Sequence, residues 1–212
     1  MDTEKVVIKE VTSTTTTKIT TTTKRKAADS IDHTAFSLKK ITSEFGALQK
    51  TDTRGEMGMS FSLVDEADVR VWACKWHYDV EDAHATETQK RLKQQLEARK
   101  LSFIEFRIVF PDGYPREAPF FYNHYPRLIG SYIFGSGGLC AETLSSTYGW
   151  SCASKTSALA LSVRSLLENA GCRLQSETKT DEQPFSEEGA RRDFSAISNI
   201  HAKGWHGSAG NS

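Results

Sequence analysis

An alternation of apolar and polar side chains runs through Met59-Ser60-Phe61-Ser62-Leu63-Val64 and again through Val69-Arg70-Val71-Trp72-Ala73-Cys74-Lys75-Trp76-His77-Tyr78. Such alternation is typical of half-buried strands, and it places Trp72, Cys74 and Trp76 on one face of the second strand. The polar run Asp65-Glu66-Ala67-Asp68 between the two predicts a turn. Together they predict an antiparallel hairpin.

Further strands are predicted downstream of this hairpin. The segment from Leu101 to Phe110 returns to a strand pattern and ends at the turn Pro111-Asp112-Gly113. The segment from Pro115 to Tyr125 is bracketed by prolines, which favours a short edge strand around Phe120-Phe121-Tyr122. Between the second and third strands, Asp79 to Lys100 is charged and rich in helix formers, which predicts a surface helix.

Three amphipathic helices are predicted outside the sheet, at Ser30 to Lys50, Lys155 to Ala170 and Ser186 to Lys203. The apolar face of the first consists of Ile31, Phe36, Leu38, Ile41, Phe45 and Leu48. The sequence therefore predicts an α+β fold: an N-terminal helix, a four-stranded antiparallel meander, an extra helix between strands 2 and 3, a cysteine on a long irregular segment, and C-terminal helices.

The 212 residues suffice for one domain and a tail. Residues 1–29 are rich in threonine and contain no aromatic residue, which predicts a disordered tail. The alternative is an edge strand that includes Val6 and Ile8. We expect residues 30–206 to form the core domain and residues 207–212 to be flexible.

The chain has 27 basic and 27 acidic residues, so no overall charge favours nucleic acid or an anionic membrane as a partner. No signal peptide and no apolar run of membrane-spanning length occur, which predicts a cytoplasmic or nuclear protein with reduced thiols. The four cysteines lack the spacing of a zinc site, so we expect no metal and no cofactor. A monomer is expected.

Cys140 is the candidate nucleophile. It follows the run Tyr132-Ile133-Phe134-Gly135-Ser136-Gly137-Gly138-Leu139, whose glycines allow the backbone to approach a ligand closely. A thiol in such a position is suited to covalent chemistry.

Three motifs resemble those of the ubiquitin-conjugating enzymes. They are Phe110-Pro111-Asp112-Gly113-Tyr114-Pro115-Arg116-Glu117-Ala118-Pro119, the segment Gly138-Leu139-Cys140-Ala141-Glu142, and Gly149-Trp150-Ser151-Cys152-Ala153. The helical insert, the glycine run before Cys140 and the ending Ile200-His201-Ala202-Lys203-Gly204-Trp205 are similar to those of the Q-type enzymes.

This resemblance implies that Cys140 accepts ubiquitin, or a ubiquitin-like modifier, as a thioester from an activating enzyme in an ATP-dependent pathway. The modifier then passes to an amine of a substrate protein, assisted by a ubiquitin ligase. The expected ligase-contact surface consists of Tyr114, Arg116, Ser151, Cys152 and Ala153. Most relatives have an apolar residue where this chain has Arg116, so we expect an altered preference for ligases.

The chain departs from the family at the oxyanion donor. Where most ubiquitin-conjugating enzymes have a His-Pro-Asn triplet, this chain has Gly130-Ser131-Tyr132. The Q-type enzymes also lack the triplet. The Tyr132 hydroxyl is one candidate donor, and the backbone N–H groups of the glycine run are the other. Glu177, Asp181 and Glu182 are weaker candidates for accepting the proton of the attacking amine.

Two other functions compete with this interpretation. A catalytically silent member of the same fold would only bind ubiquitin or partner proteins, although such members typically lack the cysteine. A papain-like protease has little support, because the residues around Cys140 do not match its signature.

Overall fold

The structure, a computed structural model, describes residues 33–78, 85–139, 149–176 and 182–204. The predicted tail, the end of the core domain from residue 205 and residues 207–212 lie outside these ranges. The elements are α1 (33–48), α2 (Thr53–Met57), β1 (Met59–Asp65), β2 (Asp68–Trp76), α3 (Glu87–Ala98), β3 (Ile104–Val109), β4 (Phe120–Tyr125), β5 (Leu128–Ile129), α4 (Thr156–Asn169), β6 (Arg173–Leu174) and α5 (Glu187–Gly204).

The predicted meander is confirmed: four antiparallel strands lie in the order β1-β2-β3-β4. Their register pairs Phe61 with Cys74 and Cys74 with Phe106, so one face of the sheet gathers the aromatic and aliphatic side chains. At the hairpin turn, the Asp65 carboxylate accepts the Ala67 N–H at 2.9 Å. The fourth strand continues to Tyr125, three residues beyond the predicted Phe120-Phe121-Tyr122.

The core lies between this face of the sheet and the helices α1, α3 and α4. Its largest buried side chains include Trp72, Trp76 and Phe106, which are at most 2% exposed. Helix α4 contributes Leu159, Ala160, Val163 and Leu167, in agreement with its predicted amphipathic pattern. Among the described residues, no helix has both the length and the apolar character needed to cross a membrane.

The first helix is present, but part of its predicted apolar face is wrong. Phe36 is 58% exposed and Leu38 is 37% exposed. Ser37 and Ile41 are buried instead, and Phe45 and Leu48 pack against the core beside them. Successive members of this set are three or four positions apart, whereas Phe36 lies off that stripe by about a quarter turn. Ile31 lies outside the described residues.

The predicted insert helix is also present, as α3. It begins at a capping box in which Thr86 and Gln89 exchange hydrogen bonds. Leu92 and Leu96 are 2% and 3% exposed, so the helix is part of the core rather than a loosely held cover. Residues 79–84 of the predicted helix lie outside the described residues.

A partly buried carboxylate joins α1 to the start of α4. Lys155, the N-cap residue of α4, provides no side-chain cap. Instead the Glu44 carboxylate accepts the Thr156 N–H at 3.0 Å and the Thr156 hydroxyl at 2.7 Å. The Tyr114 hydroxyl donates to the same carboxylate at 2.8 Å, and Lys40 lies 3.2 Å away. Burial alone would raise the pKa of Glu44, but these hydrogen bonds hold that pKa below its usual value.

Replacing Glu44 with alanine should lower the free energy of unfolding by about 2–3 kcal/mol, because it leaves buried donors without their acceptor. Urea unfolding at pH 7 measures the change. The matched control is Glu188→Ala, which removes an exposed partner of Arg192 and should cost less than about 0.5 kcal/mol. Equal losses in the two variants would contradict the proposed cap.

The same network predicts a pH dependence. The stability contributed by ionised Glu44 is present above the ordinary pKa of 4.5 and is lost as the pH falls through the lower pKa of the folded state. The difference in unfolding free energy between the wild type and Glu44→Gln should therefore shrink between pH 5 and pH 3. A difference that stays constant over that range would show that the charge of Glu44 is not what stabilises the fold.

Candidate active site

The predicted nucleophile Cys140 lies outside the described residues, whereas the run that leads to it is described up to Leu139. This run, which we call the glycine run, consists of residues 130–139 and follows β5. It has no regular secondary structure except for isolated antiparallel bridges, which link Gly130 to Ile133 and Ile133 to Leu139. The prediction of a long irregular segment before the cysteine is confirmed for this part.

The glycine run is attached to the outer edge of β4. The Asn123 N–H donates to the Gly137 carbonyl at 2.8 Å, and Tyr122 forms a bridge with Gly138. Within the run, Phe134 N–H donates to the Gly138 carbonyl at 2.8 Å, and Gly137 N–H donates to the Phe134 carbonyl at 2.8 Å. The chain that enters Cys140 is therefore fixed to the sheet by main-chain hydrogen bonds.

Two glycines make this close approach sterically possible. Gly137 has a φ of +88°, and a Cβ there would lie 2.5 Å from the Phe185 ring and 2.6 Å from the Asn123 carbonyl oxygen. A Cβ on Gly138 would lie 2.7 Å from the carbonyl oxygen of Ala190 in α5. Helix α5 also holds the run electrostatically, because the Asp193 carboxylate accepts the Ser136 N–H at 2.8 Å.

Tyr132, one of the two candidate oxyanion donors, is 39% exposed. It lines an open groove of about 620 Å³ together with one side of α4, namely Leu161, Ser162, Ser165, Leu166 and Asn169. Its neighbour Ile133 forms an isolated antiparallel bridge with Leu139, the last described residue before Cys140. Tyr132 is therefore next in sequence to a residue paired with Leu139.

The other candidate donors are partly occupied. The N–H of Ser136 binds Asp193, and the N–H of Gly137 binds the Phe134 carbonyl. Neither of these two N–H groups is available to a substrate oxygen while those hydrogen bonds persist. The N–H groups of Ile133 and Phe134 are likewise bonded, to the carbonyls of Gly130 and Gly138. The other N–H groups of the run and the Tyr132 hydroxyl stay candidates.

Asn123 and His124, the nearest upstream residues of the types found in the missing triplet, have structural roles. Asn123 is fully buried; its side chain donates to the Pro126 carbonyl at 3.0 Å and accepts the Leu128 N–H at 2.9 Å. The His124 Nδ1 lies 3.1 Å from the Phe185 carbonyl oxygen. Burial, and then the nearby Arg107 guanidinium, lower the pKa of His124. His124 is thus a partly buried histidine bonded to the main chain.

Glu182 is not placed as a proton acceptor. Its carboxylate is 5% exposed and lies 3.3 Å from the guanidinium of Arg99. The same carboxylate accepts the Arg127 N–H at 3.2 Å. The Glu182 carboxylate therefore forms a structural ion pair with Arg99. Glu177 and Asp181, the other two candidates, lie outside the described residues.

The predicted ligase-contact surface requires one correction. Tyr114 is only 2% exposed, and its hydroxyl binds Glu44, so it supports the surface from below instead of contacting a partner. Arg116, Ser151, Cys152 and Ala153 are exposed. The two loops that contain them are joined by a hydrogen bond of 2.7 Å from the Trp150 indole N–H to the Pro115 carbonyl.

The described cysteines differ in their capacity to form thiolates. Cys74 is buried, and burial together with the charge of Glu105 raises its pKa far above the ordinary value. Burial raises the pKa of Cys172 to about 11. Cys152 is exposed. Among the residues that the structure describes, no group of three or more histidine, cysteine or acidic side chains is arranged to hold a metal ion.

Comparison with known proteins identifies relatives described as ubiquitin-conjugating enzymes. The chain is 27% identical over 148 residues to "Ubiquitin-conjugating enzyme E2 25" of Caenorhabditis elegans, a match that covers 69% of this chain and 37% of the relative. It is 29% identical over 105 residues to "Ubiquitin-conjugating enzyme E2 Q1" of mouse and of human, covering 49% of this chain and 24% of each relative. No family model matches.

Two solved structures of ubiquitin-conjugating enzymes also match this chain. "Structure of human Ubiquitin-conjugating enzyme E2 G1" matches with a TM-score of 0.48 and 18% identity, covering 63% of this chain and 94% of that one. A Plasmodium vivax ubiquitin-conjugating enzyme E2 matches with a TM-score of 0.44 and 20% identity, covering 60% and 98%. The resemblance predicted from the sequence is confirmed by the sequence relatives, which include Q-type enzymes. The chain spans less than two fifths of the length of these curated relatives.

Replacing Gly137 with alanine should lower the free energy of unfolding by about 2 kcal/mol, because the new methyl group would meet Phe185 and Asn123 at a positive φ. The matched control lies two residues away in the same run. A Cβ on Gly135 meets nothing within 4 Å, so Gly135→Ala should change the free energy of unfolding by less than about 0.5 kcal/mol. Thermal and urea unfolding measure both, and equal effects would contradict the described packing.

Proposed function

This chain is related to the ubiquitin-conjugating enzymes, Q-type enzymes included, and from that relation we propose that it accepts ubiquitin, or a ubiquitin-like modifier, as a thioester on Cys140 and transfers it to a substrate amine, usually lysine. The observation that supports this most is the place of the cysteine in the chain. Cys140 directly follows Leu139, the end of a run that β4 and α5 hold by main-chain hydrogen bonds and glycine packing.

The proposed reaction is acyl transfer in two steps. The Cys140 thiolate attacks the carbonyl carbon at the end of the modifier and displaces the thiol of the activating enzyme, whose earlier step uses ATP. A substrate amine then attacks the same carbonyl, displaces the Cys140 thiolate and releases a proton as the amide forms. A thiol suits both steps, because it is a good nucleophile and a good leaving group.

The second step requires a donor for the negative oxygen of the tetrahedral intermediate. The hydroxyl of Tyr132 is the donor we favour, since it is exposed and its neighbour Ile133 is bridged to Leu139. The hydrogen bonds already made by Ser136 and Gly137 support this choice over those two N–H groups. The phenol would stabilise the intermediate without taking part in thioester formation.

The proposed partners are the modifier, an activating enzyme, substrate proteins and a ligase. We place the ligase at the exposed residues Arg116, Ser151, Cys152 and Ala153, over the buried Tyr114. The Arg116 cation disfavours an apolar docking contact and favours a ligase with an acidic one. Strong stimulation by a ligase that requires an apolar contact at this surface would count against the placement. We propose a cytoplasmic or nuclear location for these encounters.

Thioester formation tests the function directly. Incubation of the chain with activating enzyme, ubiquitin and ATP should yield an adduct that a thiol reductant removes. Cys140→Ala should abolish it, whereas the control Cys152→Ala, at the exposed cysteine, should leave it unchanged. An adduct that persists in Cys140→Ala would disprove the assignment of the nucleophile, and no adduct with any variant would favour a catalytically silent binding module.

The role of Tyr132 is tested separately by Tyr132→Phe. The variant should form the thioester to the same extent as the wild type, because the first step does not need the phenol. Discharge to free lysine should slow by at least about tenfold, as expected for the loss of one oxyanion donor. Single-turnover discharge, followed on non-reducing gels, measures the rate. An unchanged rate would eliminate the phenol and leave the backbone N–H groups.

A further inference from the structure

The insert helix α3 ends at an arginine that reaches three other parts of the fold. Arg99, the C-cap residue of α3, donates from its Nη1 to the Ser176 carbonyl at 3.3 Å and to the Glu182 carboxylate at 3.3 Å. Its Nη2 lies 3.4 Å from the Tyr125 hydroxyl at the end of β4. The side chains of Arg99 and Glu182 are 3% and 5% exposed. One guanidinium therefore joins the described residues on both sides of positions 177–181.

Helix α3 is a firm support for this arginine. Gln95 of α3 accepts the Leu174 N–H of β6 at 3.0 Å. Gln89 donates to the Glu168 carbonyl of α4 at 3.3 Å. With Leu92 and Leu96 in the core, these contacts fix the helix to β6 and α4. The backbone of Arg99, at the end of this helix, is therefore fixed relative to β6 and α4.

The segment that follows Glu182 leads directly to the glycine run. The N–H of Phe185 donates to the His124 carbonyl at 3.0 Å, and the ring of Phe185 lies 4.8 Å from the Arg127 guanidinium. Phe185 is 6% exposed, and its ring faces Gly137 so closely that a Cβ on that glycine would lie 2.5 Å away. Phe185 lies three residues after Glu182 in this segment, so the position of Glu182 restricts where the ring that packs against Gly137 can lie.

From these contacts we infer that α3 is a positioning element for the candidate active site. The Arg99–Glu182 ion pair sets the position of residues 182–186. Within this segment, Phe185 packs against Gly137 and holds the glycine run, which ends just before Cys140, against β4. Arg99 and Glu182 are positioning residues that contact no reacting atom. The kinetic consequence rests on the function proposed above, whereas the effect on the glycine run does not.

The structural consequence is tested by hydrogen exchange. Arg99→Met removes the charge and the donors while keeping an apolar stem of similar reach. The N–H groups of Gly137 and Leu139 should exchange about tenfold faster in this variant than in the wild type, because the Phe185 ring would no longer hold the glycine run at Gly137. Arg99→Lys, which keeps the charge but lacks the planar fork of donors, should give a smaller increase. The control Arg192→Met removes an exposed ion pair with Glu188 and should leave these rates unchanged.

The kinetic consequence is tested by lysine discharge of the loaded thioester. Arg99→Met, or Arg99→Lys if the first variant does not fold, should reach the same level of thioester. Its maximal discharge rate should fall by about fivefold to tenfold at saturating lysine, as a misplaced reacting group predicts, with an unchanged half-saturating lysine concentration. Phe61→Leu, in the buried part of β1 and remote from this path, is the control for lower overall stability and should discharge at the wild-type rate.

The inference is overturned if folded Arg99 variants exchange and discharge like the wild type, or if Phe61→Leu shows the same losses at the same melting temperature. If the wild type forms no thioester, the proposed function fails, and the exchange rates of Gly137 and Leu139 still decide the role of α3.

Discussion

The hydrogen bond from the Asn123 N–H to the Gly137 carbonyl is the constraint on which the candidate site depends. It attaches the irregular glycine run to the outer edge of β4. The run thereby covers part of a sheet edge whose backbone groups would otherwise be unpaired. The bond forms only if the chain comes within contact distance of the Asn123 carbonyl, which a side chain at position 137 would prevent. The hydrogen bond between the glycine run and the edge of β4 therefore requires a glycine at position 137.

The two faces of β4 then determine what surrounds the segment. Asn123 points into the core, and its amide bonds to Pro126 and Leu128 direct the chain from β4 into β5 and onward to the glycine run. On the opposite face, Phe120 packs against Phe194 of α5 with ring centroids 5.8 Å apart. Helix α5 is held over the edge of the sheet in this way, which brings Asp193 to the Ser136 N–H. Strand, run and helix form one packed unit.

The order of the main elements could be predicted from the sequence because their periodic patterns are long. The alternation of apolar and polar residues continues through β1 and β2, and the apolar stripe of α4 continues over several helical turns. Each repeat of the pattern strengthens the prediction of the element. The pair of two-residue strands β5 and β6 has no such pattern, and Leu128 meets Leu174 only through the tertiary fold. Phe36 misled the prediction for α1 because hydrophobicity alone does not distinguish a buried position from an exposed one.

Within the candidate site, residue types were predictable but their partners were not. The glycines before Cys140 indicated a close approach, yet nothing in the sequence indicates that Phe185 and Ala190 are what approaches them. Glu182 is an acid in a polar stretch, and only the fold brings Arg99 from 83 positions away to pair with it. Such contacts between residues distant in the chain depend on three-dimensional packing and leave no local pattern.

Tyr114 is a motif residue whose burial could not be predicted from the sequence. Its motif suggested a contact residue, whereas its ring is buried between Phe110 and Trp150 and its hydroxyl serves Glu44. The exposed loops of Arg116 and Ser151 are therefore attached to α1 and α4 through partly buried hydrogen bonds, by way of Tyr114 and Trp150. A surface held in this manner loses little conformational entropy when a partner binds. If the proposed ligase binds here, its selection would depend on the exposed side chains of this surface, among which Arg116 provides a positive charge.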